Sequence, residues 1–250
     1  MSNRRLFLKQ SLATLGATVV STSLVKAENF IDAEQKISLQ KGDVILFQGD
    51  SITDHGRNRE AKAANDLNAL GRGYAMVAAS KLLNEHADKD LKIYNRGISG
   101  NKVPQLNDRW QEDCLDLKPN VLSILIGVND YWHKRNGNYV GSAQAYKDQY
   151  RKLLERTLNE LPNVKLIIGE PFAVKNVQHV DDSWFPEFAN YQRASRDVAK
   201  EFNATFIPYQ SLFDKACEIN NGAYWTTDGV HTSLAGINLM ASSYDSIFNK

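Results

Sequence analysis

Four short blocks of this sequence hold residue types that can do acyl-transfer chemistry: Gly49-Asp50-Ser51-Ile52-Thr53, Asn95-Arg96-Gly97-Ile98-Ser99-Gly100, Gly127-Val128-Asn129-Asp130 and Thr227-Asp228-Gly229-Val230-His231. A serine hydroxyl is a weak nucleophile near neutral pH unless a base takes its proton. A histidine such as His231 can serve as that base, and a carboxylate three residues before it can hold the imidazole's tautomer and stabilise its protonated form. The oxyanion that forms on attack needs preorganised donors, which a glycine N–H or an asparagine NH₂ can provide. Each block also has a structural reading: Ser51 as a helix N-cap, the glycine block as a turn, Asn129 as a turn residue, and Asp-x-x-His as a common loop pattern.

What decides between these readings is where the blocks sit. Five apolar runs cross the chain: Val44–Phe47, Leu91–Tyr94, Val121–Ile126, Val164–Ile168 and Ala204–Ile207. They are apolar on both faces, as strands of a parallel sheet covered on both sides are. Amphipathic stretches alternate with them. Tyr74 to Ala87 is one. Tyr146, Tyr150, Leu153, Leu154, Thr157, Leu158 and Leu161 recur at helical spacing before Pro162, and Phe188, Tyr191, Val198 and Phe202 mark another. Leu234 to Phe248 is the last. Strand alternating with helix predicts an α/β fold with a doubly wound sheet, whose ligands bind at the carboxyl ends of the strands. The serine, glycine and asparagine blocks each follow one of the first three runs, and the histidine block precedes the last helix.

Taken together and in this order, the blocks resemble those of the SGNH hydrolases, the GDSL esterase and lipase family. The resemblance runs from about Val44 to the C-terminus. It implies a flavodoxin-like three-layer α/β/α sandwich around a mostly five-stranded parallel sheet. It also implies Ser51 as nucleophile, His231 as general base, Asp228 as its orienting partner, and an oxyanion hole made of Ser51 N–H, Gly97 N–H and the Asn129 side chain. No cofactor or metal follows from it. The chain departs from many members of the family at Thr232, where they carry proline, a loop-stiffening difference that leaves the chemistry alone.

The family includes lipases, thioesterases, proteases and sugar O-acetylesterases, and the motifs do not choose among them. A mean hydropathy of −0.43 and the lack of a long apolar stretch beyond the N-terminus favour a polar substrate over a lipid. Asp130 to Asn136 reads as a polar aromatic loop whose Trp132 could stack on a sugar ring, and Trp225 lies close before Asp228. Trp184 and Phe185 fall in a loop after the fourth strand. Packing in the core is the alternative for each tryptophan. The segment Asp54 to Arg72 carries His55, Arg57, Arg59, Glu60 and Lys62, either a solvated charged loop or a basic border to the cleft. Arg57 is its candidate for binding an acidic sugar. The chain also resembles bacterial esterases of the rhamnogalacturonan and xylan acetylesterase type. The leading expectation is therefore an exported esterase that removes O-acetyl groups from plant or algal poly- or oligosaccharides. A broad carboxylesterase or lysophospholipase-like acylhydrolase is the second reading, and a carbohydrate-binding protein on a decayed hydrolase fold the third.

Composition sets outer bounds. With 30 Lys and Arg against 29 Asp and Glu, there is no basic excess to track nucleic acid. Five histidines and two cysteines without C-x-x-C or H-E-x-x-H spacing do not read as a zinc site. Residues 1–27 resemble a twin-arginine export signal. Arg4-Arg5 is followed by x-Phe-Leu-Lys, the run from Gln10 to Val25 is uncharged, and Val25-Lys26-Ala27 offers a cleavage point. Residues 28–250 then form one hydrolase domain, periplasmic or secreted, without a membrane span. Removing the leader takes the formal net charge from +1 to −3. Cys114 and Cys217 are expected as two separate buried thiols.

Overall fold

The computed structural model describes residues 36–248; the twin-arginine block lies outside the described residues, as do the remaining positions up to 35 and the last two. Five strands form one all-parallel sheet: β1 (Val44–Gly49), β2 (Lys92–Asn95), β3 (Val121–Leu125), β4 (Lys165–Gly169) and β5 (Thr205–Ile207), in the order β2-β1-β3-β4-β5. Every residue of β3 is buried, as are the last five of β1 and the last four of β4. That explains the unbroken apolar runs in the sequence: a strand covered on both faces has no side to give to polar residues.

Among the described residues eleven α-helices surround the sheet. They are α1 (Ser51–Asp54), α2 (Leu67–Leu70), α3 (Tyr74–Glu85), α4 (Val103–Asp108), α5 (Trp110–Asp113), α6 (Val128–Arg135), α7 (Ala143–Glu160), α8 (Glu187–Glu201), α9 (Tyr209–Ile219), α10 (Gly222–Trp225) and α11 (Leu234–Ser242). Crossovers between parallel strands are right-handed. The chain steps one way from β1 to β2 and the other way from β2 through β3 to β5. The helices of the first crossover therefore cover one face and those of the later crossovers cover the other. The packing agrees: α3 lies against α11, and α7 lies against α4 and α8. The result is a three-layer α/β/α sandwich.

The order reverses at β1, so the crevice between β1 and β3 is the topological switch point where such sheets bind ligands. Gly49 of β1 pairs with Leu125 of β3. Ser51 and Asn129, two and four residues further on, thus leave the sheet at one edge.

Two stretches differ from the sequence expectation. Asp130 to Asn136 is not a loop; all but the last residue belong to α6, which starts at Val128 behind the N-cap Gly127 and puts Asp130 in its first turn and His133, Lys134 and Arg135 in its last. That charge order suits the helix dipole, but it hides the apolar period that would reveal a helix. The final helix ends at Ser242 and gives way to a single 3₁₀ turn, Ser243–Ser246. Cys114 is buried and Cys217 half-buried, and both are free thiols. Among the described residues no helix is long and apolar enough to cross a membrane.

Candidate active site

β1 delivers the chain to Asp50, which caps α1: its Oδ1 accepts the Ile52 N–H at 3.0 Å. Asp50, not Ser51, is therefore the N-cap, which leaves the Ser51 hydroxyl free for another partner. That partner is His231, whose Nε2 lies 2.8 Å from Ser51 Oγ. On the far side of the ring, His231 Nδ1 lies 2.6 Å from Asp228 Oδ2. The other carboxylate oxygen, Oδ1, accepts the backbone N–H groups of Val230 (2.9 Å) and His231 (2.7 Å).

Electrostatics sets the direction of this chain. Burial alone would raise the Asp228 pKa, but the hydrogen bonds from the His231 ring and backbone and from Val230 outweigh it and hold it at about 2. An ionised carboxylate only accepts. Nδ1 must then carry the proton, Nε2 is bare, and Ser51 Oγ–H donates to it. The Asp228 hydrogen bond raises the His231 pKa, against burial, which lowers it. Asp50 is wholly buried, and desolvation lifts its pKa to about 7.

A tight loop fixes the aspartate–histidine pair. Thr226 bridges Thr232, Thr227 N–H donates to the His231 carbonyl (2.8 Å) and Ser233 N–H to the Trp225 carbonyl (3.0 Å). Gly229 inside it has φ +96°, and a Cβ there would lie 2.5 Å from Val180 Cγ2. This position therefore demands glycine on both conformational and steric grounds.

The donors near Ser51 depart from expectation at one position. Gly97 N–H is already given to Asn95 Oδ1 (2.9 Å), and the Gly97 carbonyl accepts Arg57 Nε–H (2.8 Å). The residue is buried beneath α1, where a Cβ would lie 2.5 Å from Asp54 N. Its peptide is thus tied up on both sides, and its smallness serves packing. The accessible glycine of the block is Gly100. It is the third residue of the Ile98–Asn101 turn, closed by Asn101 N–H to the Ile98 carbonyl (3.2 Å), with φ +81° and open space around it. Asp54 anchors this turn to α1, since its Oδ2 accepts both the N–H (2.9 Å) and the hydroxyl (3.1 Å) of Ser99. Asn129, in the first turn of α6, reaches the same turn: its Nδ2 donates to the Asn101 carbonyl at 3.2 Å. An NH₂ group has a second hydrogen to offer. The Ser-Gly dipeptide was the available signal for a positive-φ turn. That Asn95 occupies the Gly97 N–H could be learned only from the fold.

The hollow beside Ser51 measures about 390 Å³ and is lined by Ser51, His55, Gly56, Arg72, Ser99 and His231. None of the three residues read as substrate contacts from sequence lines it. Arg57 is buried, committed to Gly97. Trp132 packs against Trp184 and His179, ring centroids 5.5 Å away in both cases. Trp225 gives its indole N–H to the Ala216 carbonyl (2.9 Å). Trp184 is buried and donates to the His179 carbonyl (2.8 Å). The sequence reading places His55 in a segment that could border the cleft and Gly100 in the glycine block, but gives neither of them, nor Arg72, a role of its own.

The sheet, its switch-point serine and the hydrogen-bonded histidine and aspartate define a class, and residues 47–238 match the model of the GDSL-like lipase/acylhydrolase family. The chain belongs to that family and is a serine hydrolase acting on esters. It is 32% identical over 210 residues to an acetylxylan esterase of Geobacillus stearothermophilus, covering 83% of this chain and 94% of that one. A crystal structure of that enzyme superposes with a TM-score of 0.75 at 30% identity, over 83% of this chain and 94% of that one. A protein from Parabacteroides merdae, described as a GDSL-like lipase, is 46% identical with a TM-score of 0.83, covering 85% and 98%. Solved variants of the Geobacillus enzyme include catalytic mutants in which a serine, a histidine or an aspartate is replaced by alanine. That aspartate and histidine are three positions apart, the spacing of Asp228 and His231.

Proposed function

We propose that this protein is a carbohydrate O-acetylesterase that works through an acetyl-Ser51 intermediate. The observation that carries the reading is the Ser51–His231–Asp228 chain, 2.8 and 2.6 Å, opening on a hollow with no aliphatic side chain among the residues lining it. Such a wall suits a short acyl group and a hydroxylated alcohol better than a fatty chain. The acetylxylan esterase relative supports the same choice.

In this mechanism Ser51 Oγ attacks the acetyl carbonyl while His231 Nε2 takes its proton. The oxyanion is held by three donors: Ser51 N–H, Asn129 NH₂ and the Gly100 N–H in place of that of Gly97. Ser51 is the first residue of α1, so its N–H has no acceptor within the helix. His231 then protonates the departing sugar oxygen. Water, deprotonated by the same histidine, releases acetate and restores Ser51. Asp228 stabilises the imidazolium at both stages. Asn129→Ala is expected to lower kcat about 10²–10³-fold with little change in KM, the usual consequence of losing one oxyanion donor. Steady-state kinetics on p-nitrophenyl acetate check this, and a near-wild-type kcat would remove Asn129 from the hole.

The test of the function is an acyl-chain series, p-nitrophenyl acetate, butyrate and octanoate, run beside acetate release from acetylated xylo-oligosaccharide and acetylated pectin. We expect a fall of about tenfold or more from acetate to butyrate, since added methylenes in a fitted pocket count strongly, together with release of acetate from at least one glycan. A preference for octanoate would favour the broad acylhydrolase instead. The Arg4-Arg5 block and the uncharged run after it support action after export, on glycan outside the cytoplasm.

A further inference from the structure

The hollow at Ser51 does not end at the nucleophile. A second one of about 400 Å³ shares Gly56 and Arg72 with it and is lined further by Arg57, Asn58, Leu67, Asn68 and Gly71. Arg72 stands at the junction. Its backbone N–H is held by the His55 carbonyl (3.1 Å), and its guanidinium lies along Gly56, where a Cβ would be 3.5 Å from Nη2. The other described arginines each donate to a protein acceptor, among them Arg57 to Gly97, Arg59 to Asp54, Arg109 to Asp113 and Arg196 to Glu170. Arg72 is exposed and, among the described residues, has neither a carboxylate nor a carbonyl on its guanidinium. His55 beside it is kept towards its neutral form by burial and by the nearby His231 and Arg72. The fixed cation of the junction is therefore Arg72.

A guanidinium with no partner among the described residues, lining the same hollow as the reacting serine, is a fork for a planar anion. Beyond it, Leu67, 75% exposed, offers an apolar face. Resting on the saccharide reading above, we propose that Arg72 is a specificity-determining residue. It binds the carboxylate of a uronic acid residue next to the acetylated sugar, so acetylated acidic saccharides are preferred over neutral ones. The acidic-sugar contact that the sequence suggested for Arg57 moves to Arg72, because Arg57, though it borders the second hollow, is buried with its Nε–H given to the Gly97 carbonyl, whereas Arg72 is exposed.

The experiment compares wild type, Arg72→Ala and Arg72→Lys on acetylated oligogalacturonate and on acetylated neutral xylo-oligosaccharide, at low and high salt. Wild type is expected to favour the acidic substrate. Arg72→Ala should lower the acidic-to-neutral ratio of kcat/KM about tenfold, chiefly through KM, as loss of a charged hydrogen-bond pair does. Arg72→Lys should retain part of the preference, and salt should weaken it in wild type. A second arm uses unacetylated oligogalacturonate as a competitive inhibitor of p-nitrophenyl acetate hydrolysis, with inhibition expected to weaken in Arg72→Ala. An acidic-to-neutral ratio unmoved by Arg72→Ala, or oligogalacturonate inhibiting no better than neutral xylo-oligosaccharide, would overturn the proposal. Arg72-dependent inhibition without acetate release from any glycan would uphold the anion site and overturn the saccharide-esterase reading.

Discussion

Ser51→Ala is expected to lower kcat on p-nitrophenyl acetate by on the order of 10⁵–10⁶ while the protein stays folded. The size follows from the way nucleophile and base act as a unit: once the hydroxyl is gone, only binding and oxyanion stabilisation are left to help a water attack. The fold is expected to survive because Ser51 Oγ has no structural task. Capping of α1 belongs to Asp50, whose Oδ1 holds the Ile52 N–H, and the hydroxyl's hydrogen bond runs to His231. The circular dichroism spectrum and thermal midpoint should therefore match wild type. If Ser51 were a cap instead, the variant would lose about 1 kcal/mol of stability and keep its turnover. The two outcomes are opposite in both readouts.

Asp228→Asn is expected to cost about 10⁴ in kcat, because an amide facing Nδ1 can donate as well as accept and so permits the wrong tautomer of His231. With the proton on Nε2, the ring can no longer take one from Ser51. The pH profile should change with it. In wild type the hydrogen bond that His231 Nδ1–H donates to Asp228 raises the His231 pKa, against burial, and activity is lost as pH falls through that value and Nε2 becomes protonated. Replacing the carboxylate by a neutral amide removes both the hydrogen bond to an anion and the attraction of its charge. The His231 pKa then falls, and the acidic limb of kcat/KM should move to lower pH. A variant that is merely distorted would lose rate without moving the limb. Measuring kcat/KM across pH for both proteins separates these cases.

Much of this arrangement can be read from the sequence because burial writes itself into residue type. The runs in β1, β3 and β4 are apolar on both faces, so their existence and the parallel sheet follow from Val44–Phe47, Val121–Ile126 and Val164–Ile168. The amphipathic period of Tyr146 to Leu161 likewise marks α7. The chemistry-bearing residues are legible because they stand at strand ends, where a polar block interrupts an apolar one. What stays hidden is set by tertiary contacts. Gly97 and Gly100 are three residues apart in one block, and nothing local says that Asn95 takes the N–H of the first while the turn leaves the second open. Arg57 and Arg72 are both basic residues of one polar segment; only the fold buries the first on the Gly97 carbonyl and places the second at the mouth of the site. The tryptophans are ambiguous for a related reason. A large ring serves packing and sugar stacking equally well, and Trp132 and Trp184 found each other rather than the cleft. α6 is missed because its charged residues satisfy the helix dipole while diluting the apolar stripe.

The most direct test of the central claim is to treat the wild-type protein with an organophosphonate and locate the adduct by mass spectrometry. A single adduct on the peptide carrying Ser51, rising in step with loss of esterase activity and absent from Ser51→Ala, is the predicted result. Full inactivation with the adduct on another residue, or esterase activity undiminished while Ser51 is fully modified, would contradict the account.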